Sequence, residues 1–225
     1  MKHTSIYILL ATILCFCFGC IRQTPNDNLL GNDRASIVEK EYDDSLMQIF
    51  FSCANFNQIN RLIDPEMKLT VLYANGCYPQ YEKLDSLSSD PKSYNLPDWV
   101  IDDLFNVLDF SNIHIDSLQH INTPVFDGEN VLQCGAFVDE SEGNKVMSSV
   151  IENLIRVEKI EINDKDYIKA LENDSSFYSN MEDKTIRVIL TNTDSECPIR
   201  IFHFTTKNNK LYLTLIDLYS YDTSA

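Results

Sequence analysis

The side chains able to do chemistry in this chain are few and scattered. Beyond residue 20 there are three histidines, His114, His120 and His203. His114 and Asp116, two apart on a strand, would point to one side, as two ligands of a metal site do. His120 does not complete a ligand spacing, so the three residues read as surface polar groups beside a turn, with no metal. Cys53, Cys77, Cys134 and Cys197 form no C-x-x-C, which argues against a redox motif or a zinc knuckle. Their even number suits one or more disulfides in an oxidising compartment, with three pairings open. Cys53 also lies on an apolar stripe and reads equally well as a buried thiol. Nucleophilic catalysis needs a base beside a serine or cysteine, and no Gly-x-Ser-x-Gly is present. A cysteine–histidine pair built on Cys77 or Cys134 has no feature that singles it out. Six scattered glycines do not make a phosphate-cradling loop, so no cofactor is implied.

Asp217 is the remaining candidate, an acid inside the run Leu-Thr-Leu-Ile-Asp-Leu. Its neighbours decide its role. Residues 185–191, 199–206 and 211–218 alternate like strands, and Asn208-Asn209 suits a two-residue hairpin loop of type I′. That loop sets Lys207 opposite Lys210, Phe204 opposite Leu213, Phe202 opposite Leu215 and Arg200 opposite Asp217. The expected result is an apolar face closed at one end by an Arg200–Asp217 ion pair, a structural role for both. The other face carries His203 opposite Thr214 with Ile201 and Ile216. It is less apolar, and is expected to be wet or to line a pocket.

The elements that position these residues are α and β in turn. Ser36 with Glu39 looks like a capping box, followed by an apolar stripe at Val38, Tyr42, Leu46, Ile49, Phe50, Cys53 and Phe56. Residues 68–73 read as a strand, Asn75-Gly76 as a hairpin turn, and 78–84 as an edge strand because of Pro79. Pro97 opens a helix with Ile101, Leu104, Phe105 and Leu108 on one face. Residues 131–138 suggest a strand, 146–157 a helix and 164–172 a short further helix. The fold class is α+β: helices packed on a mainly antiparallel sheet that ends in a three-stranded meander. By analogy alone this order fits a cystatin-like or nuclear-transport-factor-like cone.

The N-terminus supplies an address. Lys2 is followed by an apolar run that ends at Gly19-Cys20, too short to cross a bilayer as a helix of about 20 residues. This stretch resembles a bacterial lipoprotein signal, which implies removal of residues 1–19, lipidation of Cys20 and anchorage in a membrane. Residues 20–35 then read as a flexible tether and 36–225 as a single domain. No Asp adjoins Cys20 and no acidic cluster follows it. The expected location is therefore the outer membrane, on the periplasmic face rather than the cell surface. The mature chain keeps 17 basic and 34 acidic side chains, a balance of −17 that excludes nucleic acid as a partner and disfavours docking on anionic lipid.

Asp-Ser-Leu occurs at residues 44–46, 85–87 and 116–118. It resembles the O-glycosylation sequon of Bacteroidota envelope proteins, which would place glycan on Ser45, Ser86 and Ser117. Asp64-Pro65, Leu69 to Tyr73, Gly76 with Tyr78, Phe126-Asp127, Gly135 with Phe137, Leu211 to Asp217 and the terminal Asp222 to Ala225 carry a wider likeness. With them the chain resembles uncharacterised Bacteroidota lipoproteins, a family that implies an α+β domain and an envelope location but no activity. The function expected from these readings is a non-catalytic envelope lipoprotein that binds a protein or small ligand. The competing reading is a small hydrolase or isomerase with its site in a cone-shaped pocket.

Overall fold

The computed structural model describes residues 44–76, 78–111, 115–139, 145–161, 164–194 and 197–220. The signal, Cys20, the Ser36–Glu39 box, Cys77, His114 and the last residues, 221–225, lie outside them. The helices are α1 (Phe56–Ile59), α2 (Asp98–Val107), α3 (Val146–Glu161) and α4 (Lys165–Glu182). The strands are β1 (Leu69–Asn75), β2 (Tyr78–Leu84), β3 (Leu118–Ile121), β4 (Phe126–Asp127), β5 (Asn130–Val131), β6 (Gly135–Asp139), β7 (Thr185–Thr191), β8 (Ile199–Lys207) and β9 (Lys210–Asp217). Seven strands form one sheet in the order β2-β1-β9-β8-β7-β6-β3, and β4 with β5 makes a small separate ribbon. Pairing is antiparallel except between β1 and β9 and between β3 and β6. The fold is α+β, as the sequence patterns require.

Strand alternation gives the sheet two buried faces. On the first, Val71, Val188, Phe202, Phe204 and Ile216 pack with Val100, Ile101, Leu104 and Val107 of α2 and with Leu46 and Phe50. On the second, Leu72 and Leu215 meet Met147, Val150 and Ile151 of α3 and Leu171 and Tyr178 of α4. Farther along that face, Phe137, Ile189 and Ile201 are covered by Val125, beside the β4–β5 ribbon.

Several elements differ from the sequence expectation. The stripe from Val38 to Phe56 does not run as one helix through its described part. A wide helical turn, Leu46–Phe50, is followed by irregular backbone, and α1 starts afresh where Asn55, extended at φ −162°, accepts from the Gln58 amide. That local cap supplies the first turn of α1 with an acceptor that a continuous helix would not need. At the first hairpin Asn75 pairs with Tyr78 and so belongs to the strand, leaving the left-handed backbone to Gly76 at φ 63°. The expected strand 131–138 is split between β5 and β6.

Helix α4 runs to Glu182, well past the expected 164–172, because its polar residues find partners on the sheet. Tyr81 donates to Asp174 Oδ2 at 2.7 Å and Lys83 Nζ lies 2.6 Å from Asp174 Oδ1. The same ammonium sits 5.2 Å from the ring centroids of Phe177 and Tyr178. Burial first, and Asp174 next, push the Tyr81 phenol well above its ordinary range. Asp174→Ala leaves both partners without their acceptor. Because the pair is part-exposed, the expected loss is about 1–2 kcal/mol, read as a lower urea midpoint at unchanged m.

Candidate functional site

The C-terminal hairpin forms with the expected loop: Asn208 and Asn209 both have positive φ, and Lys207 pairs with Lys210. Phe204 faces Leu213 as expected. The register then shifts by one. His203 pairs with Leu215, Phe202 with Ile216 and Ile201 with Asp217, so Thr214 is the extra residue of a β-bulge. The Thr214 hydroxyl fills the gap, donating to the His203 carbonyl at 3.2 Å and lying 2.9 Å from Thr205 Oγ1.

The bulge moves Asp217 to the face opposite Arg200, which corrects the expected Arg200–Asp217 ion pair. Arg200 stays on the first face. It donates to the carbonyls of Val107 and Asp109 at the end of α2 and to that of Cys197, and its guanidinium lies 5.9 Å from the Phe110 ring centroid. A buried cation there complements the negative end of the helix.

On the second face the bulge adds Asp217 to a polar row inside the sheet. Asp139 on β6 pairs with Arg187 on β7, which pairs with His203 on β8. Asp217 on β9 lies diagonally beyond, its Oδ2 3.9 Å from His203 Nε2. Arg187 Nη1 holds Asp139 Oδ2 at 3.0 Å. His203, expected on a wet or pocket-lining face, is only 2% exposed, and its Nε2 and Arg187 Nε are buried without a hydrogen-bond partner. Burial, reinforced by the Arg187 charge, holds the imidazole well below its ordinary pKa, so it stays neutral at neutral pH. Asp217 is occupied: Oδ1 accepts the amides of Tyr219 and Ser220 at 3.0 and 2.8 Å, and Oδ2 accepts the Ser220 hydroxyl.

Ser220 connects this row to the surface. With Tyr219, Pro79 of β2 and Lys145, Ser149 and Asn153 at the start of α3, it lines an open groove of 410 Å³. That volume is in the range of small-ligand sites. The wall combines hydroxyl, amide and ammonium groups with the apolar surfaces of Pro79, Val146 and Val150. Nothing in the sequence marks it, because its residues come from three distant segments and none has unusual chemistry.

The other described sequence candidates do not converge on this groove. Cys53 and Cys134 are free thiols, so no disulfide joins those two. Each described cysteine meets a different neighbour: Cys53 donates to the Ile49 carbonyl, Cys197 to that of Ile199, and Cys134 lies 3.7 Å from Thr193 Oγ1. Asp116 is exposed, and His120 is exposed on the edge strand β3. Among the described residues no three His, Cys, Asp or Glu side chains gather as a metal site.

Ser86 and Ser117 are exposed, each followed by a buried leucine that anchors its loop, whereas Ser45 is half-buried within a helix. If the Asp-Ser-Leu sequences carry glycan in the native envelope, intact-peptide mass spectrometry will find it on Ser86 and Ser117 and little on Ser45. Modification of Ser45 alone would contradict this ordering.

No protein family, no curated protein and no solved structure matches this chain, so neither the likeness to Bacteroidota lipoproteins nor the cone analogy gains a counterpart.

Proposed function

We propose that this protein is a non-catalytic envelope lipoprotein, anchored through Cys20, that binds a small ligand or a short protein segment in the groove between α3 and the Tyr219–Ser220 turn. One observation carries the reading. Two groups that could move protons, His203 and Asp217, are sealed inside the sheet and Asp217 is held by the Tyr219–Ser220 turn, while the open groove offers binding groups. The hydrolase or isomerase alternative needs an acid and a base on a cavity wall, and among the described residues that line this groove there is no His, Asp or Glu. The acidic surface and the expected lipid anchor suit a repulsive, membrane-tethered receptor.

The test is a titration of the isotope-labelled protein with fractionated envelope extract, followed by amide shifts. Saturable shifts clustered at Ser149, Asn153 and Ser220, with the active compound recovered intact, are expected. Shifts clustered elsewhere, or consumption of the compound with time, would overturn the reading.

A further inference from the structure

The row beneath the groove does more than fill space. His203 Nε2, Asp217 Oδ2 and Ser220 Oγ follow one another from the middle of the sheet to the groove wall. The first gap, 3.9 Å, is too long for a hydrogen bond, whereas the second contact is made. We propose that His203 is a proton-operated latch on the groove: on taking up a proton it draws the Asp217 carboxylate to its Nε2 and thereby shifts the Tyr219–Ser220 turn that walls the groove.

His203 Nε2 and the Ser220 hydroxyl both lie beside the same oxygen, Asp217 Oδ2. Neutral His203 has no partner at Nε2, so the carboxylate is left to the turn. A protonated imidazole buried in the sheet must find an acceptor, and a charge-assisted contact closes to roughly 2.7–2.9 Å. Asp217 Oδ2 is the acidic oxygen next to it. Moving that carboxylate by about an ångström cannot leave the turn in place, because Oδ1 holds the Tyr219 and Ser220 amides and Oδ2 the Ser220 hydroxyl.

The other charged groups set the direction of response. Arg187, from β7, opposes the proton; Asp139, from β6, is engaged by Arg187 and partly offsets that charge. From α4, Glu182 is turned onto the Ser148 amide at the start of α3, and on the β4–β5 side the covering residue is apolar Val125. The latch therefore stays released at neutral pH and engages in acid. Its effect on binding rests on the proposed use of the groove, but the movement itself needs no ligand, so the two can fail separately.

The experiment is an NMR pH titration of the full chain without ligand, from neutral pH into acid, following the His203 ring and the Tyr219 and Ser220 amides. All three are expected to move with one midpoint. His203→Gln, which keeps a hydrogen-bonding side chain but takes up no proton, should abolish that transition at Tyr219 and Ser220. Arg187→Gln should raise the common midpoint, and Ser220→Ala should leave the ring and the Tyr219 amide titrating together. A His203 ring that titrates while both amides stay still, or amides that titrate unchanged in His203→Gln, would overturn the latch whatever the groove binds.

Discussion

Phe50→Ala should cost this domain about 3–5 kcal/mol, among the largest losses from any single truncation. The side chain is 1% exposed and is ringed by Phe51, Phe110, Phe202 and Phe204 at centroid distances of 5.1, 5.1, 5.0 and 4.9 Å, all edge-on. Each such pair adds to plain area burial, and alanine leaves a cavity between sheet and helix that rigid aromatic neighbours cannot close. For a domain of this size the melting temperature should fall on the order of 10 °C. Denaturant unfolding is the check: a lower midpoint with unchanged m. A loss below about 1 kcal/mol would mean that the Leu46–Phe50 turn does not dock on the sheet in solution.

The second large effect is a loss of stability in mild acid that depends on His203. Its folded pKa is lowered by burial and by Arg187, whereas in the unfolded chain it is ordinary, near 6.5. Below that value the unfolded state binds a proton that the folded state refuses. The stability tied to neutral His203 is therefore complete above about 6.5 and falls as the pH drops, with a slope approaching about 1.4 kcal/mol per pH unit. The slope ends when the folded protein takes up the proton itself.

Asp64 acts in a different window. Burial raises its pKa, but the Lys207 ammonium and the Met67 and Glu66 amides outweigh that and hold it below 3.8. Its contribution is thus present above about 4 and lost only as the pH falls farther. Urea midpoints at pH 7.5, 6.5, 5.5 and 4.5 should fall for the parent and change little for His203→Gln over the same span. Parallel curves would place the acid sensitivity elsewhere.

Much of the fold was legible because hydrophobic period and turn chemistry agreed. Alternation over β7, β8 and β9 and the two left-handed asparagines between β8 and β9 formed as their spacing requires, and the α2 helix buries Ile101 and Leu104 of its expected stripe, with Val100 and Val107 beside them. The site was less legible because one residue decides it. A hydroxyl at Thr214 can stay in register or bulge, and local sequence does not choose between these. The bulge turns Asp217 from Arg200 towards His203, so the expected pair at the end of an apolar face gives way to a sealed polar row. Arg187 inside an apolar strand and Asp139 at the end of another were the available hints, charged residues that a buried strand retains only with partners. The full length of α4 was hidden for a similar reason: Asn173 to Ser176 look like a helix end until Asp174 meets Lys83 and Tyr81.

The most direct test of groove binding is differential retention. The lipidated parent and a Ser149→Trp variant, whose indole would fill the groove from α3, are purified side by side from the native envelope, and everything retained is identified by mass. A single molecule or protein held in stoichiometric amount by the parent, released chemically unchanged and lost from the variant, is the predicted result. Equal retention by both proteins, or release of a converted product, would contradict it.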